Sequence, residues 1–197
     1  GLGDVYKRQL IDNIVWLRSD LRVRDNPALH SAMRQGSTAC VFLLATQTWS
    51  QHHWSQHKAA FLLRVLESLT DQLAKLGVPL QILDAPNFDD APGHLLKFSR
   101  EIGAKKLFFN REYPVDEKVR DERVHNTLEE NGIECEPHDS FLVFPPNTIL
   151  KDDGHPYSVF TPFKRKWLSK AEGEGLKSLP CPRPQQSRVL ELSLIHI

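Results

Sequence analysis

The stretch WLRSDLRVRDNPALHSA, Trp16 to Ala32, carries an apolar strand into a dense set of fixed charges and then into a helix. Ile14, Val15, Trp16 and Leu17 suit burial in a sheet. Arg18, Asp20, Arg22, Arg24 and Asp25 crowd the exit of that strand with both signs of charge. Ionised groups beside a buried strand are costly unless paired, so this density implies a specific network. Arg18, Asp20, Arg22 and Asp25 are therefore expected to form a buried or half-buried salt-bridge network that locks the strand to the helix after it. Pro27 suits the first turn of that helix, where its missing N–H would have no intrahelical partner.

Working outward, apolar runs alternate with helical patterns, the signature of βαβ units and a mainly parallel sheet. Five strands are expected: Ile14–Leu17, Ala39–Ala45, Leu80–Leu83, Lys106–Asn110 and a weaker Ile133–Glu136. Their nearly continuous apolar character predicts a Rossmann-like five-stranded parallel sheet with helices on both faces. Ser55 is placed to cap the best-marked helix, in which Ala59, Leu62, Leu63, Leu66, Leu69, Leu73 and Leu76 recur at three- and four-residue steps before Gly77 and Pro79 end it. Another helix is expected around Asp89 to Ile102, ending at Gly103. A further one starts near Pro114, carries Asp116 and Glu117 in its first turn, and stops at Asn131-Gly132. After about Asp139 the periodicity fades. Pro145, Pro146, Pro156 and Pro162 with scattered aromatics predict an irregular connection, and the Gly173, Gly175, Pro180, Pro182 and Pro184 cluster predicts flexible linker.

Composition excludes several classes. The 197 residues hold 25 Lys plus Arg against 25 Asp plus Glu, so the chain lacks the electrostatic footprint of a stand-alone nucleic-acid binder. Lys164, Arg165, Lys166 and Lys170, interleaved with Phe163 and Trp167, are read as packing rather than as a nucleic-acid patch, because four cations supply little salt-dependent binding. Cys40, Cys135 and Cys181 are far apart and form no CxxC pair, which argues for reduced thiols, a cytoplasmic setting and no structural zinc. No apolar run approaches the roughly 20 residues that span a bilayer, so no membrane partner is expected.

An alternating α/β chain raises the question of a nucleotide. There is no GxGxxG after a strand and no GxxxxGK[ST], and the first strand runs into charges where a phosphate loop needs glycines. A nucleotide-binding α/β module is thus the weaker reading. His53 and His57 have helical i, i+4 spacing, but Ser55 as N-cap leaves His53 outside the helix, and no metal site is expected. No GxSxG elbow supports a hydrolase. In LFFNREYPVDEKVRDERV, Leu107 to Val124, a strand and loop deliver Asp116 and Glu117 to the sheet's C-terminal edge, where open α/β sheets bind ligands. The same two carboxylates also complement a helix dipole, and both readings stand at this point.

The strand, Arg-x-Asp-Leu-Arg turn and Asp-Asn-x-Ala-Leu of Trp16 to Leu29 resemble the opening of the DNA photolyase and cryptochrome family. Leu107–Val124 and YSVFTPFKRKW, Tyr157 to Trp167, carry the resemblance further in the same order, so that it covers roughly residues 13–180. It implies the N-terminal antenna domain of a deoxyribodipyrimidine photolyase, a light-driven enzyme in which reduced FAD passes an electron to a cyclobutane pyrimidine dimer in DNA. A blue-light-sensing cryptochrome is the alternative within the family. The resemblance also implies a 5,10-methenyltetrahydrofolate antenna, with Asp116 and Glu117 at the positions of an Asn-Glu pair that bonds the pterin and His52 matching a histidine beside the chromophore. Asp116 in place of Asn removes an amide donor. FAD and damaged DNA would be held by a helical domain following this chain, so that these residues carry no catalytic group and act within a monomer.

On that reading, residues 13–139 form the antenna domain and 140–190 an interdomain linker. GLGDVYKRQ and ELSLIHI fit neither the periodicity nor the family pattern. Residues 1–12 and 191–197 are read as non-native sequence, translated adaptor on a partial reading frame, with a disordered N-terminal tail and a natural apolar C-terminus as the alternative.

Overall fold

The computed structural model describes residues 11–186; the two terminal segments read as non-native lie mostly outside them. Five parallel strands, β1 (Asn13–Leu17), β2 (Thr38–Leu44), β3 (Leu80–Asp84), β4 (Lys106–Asn110) and β5 (Glu134–His138), form one sheet in the order β3-β2-β1-β4-β5. The expected doubly covered parallel sheet is what the chain forms. Strand order reverses at β1, which pairs Val15 with Cys40 of β2 on one side and with Phe108 of β4 on the other.

Alternation along the strands builds two cores. Val15 and Leu17 point to one face, where α1 (Pro27–Gln35) and α3 (Gln56–Lys75) supply Leu29, Ala32, Leu66, Leu69 and Leu73. Ile14 and Trp16 point to the other, against α4 (Ala91–Ile102) and α5 (Val115–Glu130) with Leu95, Phe98, Val124 and Leu128. Burying a Leu or Phe side chain stabilises by roughly 1.5 to 3 kcal/mol each, so these stripes hold the four helices to the sheet.

The helix ends follow the expected signals. Asn26 caps α1 by accepting from the Leu29 N–H at 3.1 Å, and Ser55 caps α3 by accepting from the Lys58 N–H at 3.2 Å. Gly103 closes α4 with φ 75°, a left-handed conformation that glycine adopts without a Cβ penalty.

Three features depart from the expectations. A short helix, α2 (Thr46–Gln51), stands between β2 and α3, where no helix was expected, and the rings of Trp49 and Trp54 stack at 4.9 Å. Ile11, assigned to the tail, is fully buried in the core, and its N–H donates to the Ile102 carbonyl.

The largest departure is α6 (Phe160–Glu174), a fifteen-residue helix across the junction that was read as irregular chain and flexible linker. Pro162 is the third residue of α6, within the turn whose N–H groups have no intrahelical acceptor, and so it does not break the helix. Trp167 packs edge-on against Phe144 at 5.5 Å and holds α6 to the preceding loop.

Beyond α6 the chain is extended yet anchored. The Leu179 N–H donates to the Asp25 carboxylate at 2.9 Å, and Gln185 bonds both the N–H and the carbonyl of Thr38.

Candidate functional site

The C-terminal ends of β1 and β4 meet where the strand order reverses, the crevice in which open α/β sheets take ligands. Here the chain's own side chains fill it. Arg18 leaves β1, 9% exposed, and its Nη1 donates to Asp121 Oδ1 of α5 at 3.0 Å while its Nη2 donates to the Asn110 carbonyl at the end of β4. Arg120 donates to Asp121 Oδ1 from Nη2 at 2.8 Å and to Glu112 Oε2 at 2.7 Å. Burial pulls the Arg18 guanidinium below its ordinary range and the Asp121 carboxylate opposes that pull.

Asp20, 1% exposed, does not pair with the Arg18 side chain. It accepts from the Arg18 backbone N–H at 2.8 Å and from Asn110 Nδ2 at 2.6 Å. Asn110 is fully buried and joins three elements: its Nδ2 also donates to the Asn26 side chain, and its Oδ1 accepts from the Ala28 N–H at the start of α1.

The network expected among Arg18, Asp20, Arg22 and Asp25 is thus corrected. Arg22 donates to the Asp25 carbonyl at 2.7 Å and to Ser140 Oγ at 2.6 Å. The Asp25 carboxylate is engaged by the Leu179 N–H. Among the described residues no direct ion pair joins the four to one another. The carboxylates that answer Arg18 come from Glu112 and Asp121, far along the sequence, because only the β1–β4 pairing brings them to the same strand end. Asn110, Glu112, Arg120 and Asp121 were not singled out from the sequence. The adjacent Arg120-Asp121 pair facing the core side of an otherwise polar helix was the one available signal.

Above this plug lies an aromatic and cationic wall. The Arg18 and Arg120 guanidiniums lie over the Trp16 ring at 4.2 and 4.8 Å, and Arg120 also lies over Phe88 at 4.6 Å. Trp16 Nε1 and Arg18 Nε are buried N–H donors that find no acceptor among the described residues. Two unanswered donors at one strand end are expensive to keep unless a ligand or water meets them.

The sequence-predicted residues border this wall. Asp116 is exposed and Glu117 half-buried in the first turn of α5, and neither carboxylate makes a hydrogen bond or ion pair among the described residues. Residues three and four apart share a helix face, so both lie one turn above Arg120. His52, exposed at the end of α2, approaches the Phe88 ring at 6.4 Å. Phe88 therefore touches the His52 side from one direction and the α5 side from the other. His52 borders the Phe88 ring directly, whereas Asp116 and Glu117 stand one helical turn from Arg120, whose guanidinium lies over the same ring.

The opposite face of α5 borders a second cleft of about 620 Å³, lined by Tyr113, Lys118, His125, Asp139 and Pro145. Burial and the bond to Asp139 push the Tyr113 hydroxyl up to about 12, so it stays a neutral donor to Asp139 Oδ1 at 2.8 Å.

Known proteins share this sequence and architecture. The family model described as DNA photolyase matches residues 13–185. The chain is similar to the deoxyribodipyrimidine photo-lyase of Vibrio cholerae, 36% identical over 79% of this chain and 34% of that protein. It is 32% identical to cryptochrome-1 of Arabidopsis thaliana over 80% of this chain and 23% of that protein. Its fold resembles that of a bacterial class III photolyase from Agrobacterium tumefaciens, with a TM-score of 0.70 and 25% identity over 94% of this chain and 37% of that one. The chain spans about a third of the length of the photolyases it matches. With a family match running from the first strand through α6 to Gln185, over the same doubly wound sheet, the chain belongs to the DNA photolyase family.

Proposed function

We propose that these residues form the antenna-bearing part of a light-driven DNA repair enzyme that splits cyclobutane pyrimidine dimers with an electron from reduced FAD. The observation that carries this reading is the combination of family membership with two uncommitted carboxylates, Asp116 and Glu117, beside an aromatic wall at the sheet's C-terminal edge. Flavin and lesion would be held by residues outside the 197, in keeping with the third of its relatives' length that the chain spans.

The antenna in this reading is 5,10-methenyltetrahydrofolate, which absorbs near-ultraviolet light and passes the excitation to the flavin. Glu117 accepts two N–H bonds from the pterin edge, the pairing a carboxylate makes best. Asp116 accepts as well but cannot donate as an amide would, so the contact at that position is one-sided. His52 and Phe88 close the rim on the far side. Trp16 Nε1 and Arg18 Nε are the buried donors best placed to hold an ordered water or a ligand acceptor beneath it.

The test is made on full-length protein. Glu117→Ala is expected to lose the folate on purification while flavin and dimer splitting under near-ultraviolet light are retained at reduced efficiency. Folate kept at wild-type stoichiometry would remove Glu117 from the site. The similarity to cryptochrome-1 favours a second reading, in which excitation alters a partner contact instead. A full-length protein that takes up and photoreduces flavin but splits no dimers would select it. The 197 residues alone are expected neither to bind FAD nor to repair DNA, and repair by them would overturn the proposal.

A further inference from the structure

On the face of α5 turned toward β5, three donors of different chemistry converge. His125 and Glu129 stand one turn apart on the helix, and Cys135 faces them from β5, their ligand atoms all within 4.8 Å of one another. We propose that His125, Glu129 and Cys135 form a zinc site that staples the edge strand β5 to α5.

The donor set selects the ion. One imidazole, one thiolate and one carboxylate form a mixed N, S and O set that suits Zn²⁺, whereas Mg²⁺ or Ca²⁺ would want oxygen alone. Tetrahedral zinc with bonds of about 2.0 to 2.3 Å places its donors roughly 3.5 Å apart. The present separations, all within 4.8 Å, therefore lie roughly an ångström from closure.

The surroundings favour it. The Cys135 N–H donates to Glu129 Oε1 at 2.7 Å, which fixes the carboxylate beside the sulfur and leaves its second oxygen uncommitted. The His125 imidazole and the Cys135 thiol have no hydrogen-bond partner among the described residues. The bond from the Cys135 N–H to Glu129 is the outer contact that orients a ligand in this set. His125 also lines the 620 Å³ cleft and Glu129 is exposed, so an ion has a path in and water can fill the fourth position.

Binding replaces the Cys135 S–H with an S–Zn bond and releases that proton to solvent. His125 gives a ring lone pair and Glu129 a carboxylate oxygen, so no oxidant or reductant takes part. Neither Cys40, buried at the sheet centre, nor exposed Cys181 belongs to the cluster.

Co²⁺ is the probe for a thiolate-ligated tetrahedral site. Titrated into the 197-residue protein, it is expected to give visible d–d bands and a near-ultraviolet thiolate charge-transfer band that saturate at one equivalent and are displaced by Zn²⁺. Cys135→Ser should abolish the charge-transfer band, and Cys181→Ser should leave it intact. Glu129→Gln keeps an acceptor for the Cys135 N–H while removing the charge, and should weaken affinity at least about tenfold with unchanged far-ultraviolet dichroism. Zn²⁺ at about a hundred times its Kd should raise the wild-type melting temperature by roughly 5 to 10 °C. A wild-type protein without the bands, or bands that survive Cys135→Ser, would overturn the proposal.

Discussion

Arg18 and Asp121 stand 103 residues apart in sequence and meet at 3.0 Å, so that the guanidinium at the end of the first strand is held by the second turn of α5. Asp121 answers Arg120 at the same oxygen, and one carboxylate thus serves two buried cations. Removing one partner of a buried pair leaves the other charge uncompensated, which costs about 3 to 5 kcal/mol. Asp121→Ala is expected to lose that much stability by urea denaturation. The loss should exceed that of Glu112→Ala, since Glu112 stands 4.0 Å from Arg18 Nε and makes its close bonds to Arg120 and to the Ser19 hydroxyl. Equal losses would assign the two carboxylates the same role.

Asn110 tests the neutral half of the crevice. Its Nδ2 donates to Asp20 Oδ2 at 2.6 Å in a fully buried setting. Asn110→Asp turns this bond into a contact between two carboxylates, which cannot both stay ionised at that distance. The variant should be several kcal/mol less stable than wild type at neutral pH. Its deficit should shrink on mild acidification, as one shared proton restores a donor. A deficit that stays constant with pH would show that lost hydrogen bonding alone is responsible.

Acid should weaken the β5 edge in two stages. Burial lowers the His138 imidazole and outweighs the raising effect of Glu136. Burial pushes the Glu136 carboxyl up, but the bonds from Gln35 and Ser31, with His138 and Lys106, hold it below its usual value. Both groups bind fewer protons folded than unfolded across their windows, so stability rises with pH there. The His138 contribution is complete above its ordinary value of about 6.5 and is lost as pH falls below it; that of Glu136 is complete above about 4.3 and is lost below. Denaturation midpoints should therefore fall between about pH 7 and 5 in a way that His138→Gln flattens. A curve unchanged by that substitution would place the titration elsewhere.

Helix α6 is joined to the loop that follows β5 by an aromatic contact. Trp167 meets Phe144 edge-on at 5.5 Å, with the Lys170 ammonium 5.4 Å from the same Phe144 ring. Trp167→Ala should free α6 locally by roughly 2 kcal/mol, since the indole is only half-buried. Amide exchange across Phe160–Glu174 should then accelerate while Ala91–Ile102 stays protected. Acceleration of both helices alike would mean that α6 opens only with the whole domain.

The sheet is legible in local sequence patterns. Ile14–Leu17 and Lys106–Asn110 are short apolar runs that only a doubly covered strand explains, and Ser55, Pro27 and Gly103 each mark a helix end by a mechanism internal to a few residues. The charged crevice was legible only in part. Its density announced a network around Arg18, yet its partners are set by the β1–β4 pairing, and nothing near Arg18 in the sequence points to Asp121 or Asn110. Asp116, Glu117 and His52 could be placed on their elements, but the ring between His52 and Arg120 could not, because Phe88 arrives from a third segment. Helix α6 was hidden by Pro162 and Gly173, which weaken a helix in its middle and not at its two ends.

The return segment bears on how the domain carries load. Leu179 is tied to Asp25 at the start of α1, and Gln185 is tied through both ends of its amide to Thr38 and Gly77, where β2 begins and α3 has ended. The chain thus runs past α1 like a belt fastened at both buckles. Force or slack introduced after residue 185 is received at Thr38 and Gly77, on the floor of the sheet. The Arg18–Asp121 plug and the rim around Phe88 sit at the roof, outside that line of tension. A pull from beyond residue 185 therefore meets the start of β2 before it meets the Asp25 tie at the other end of the sheet.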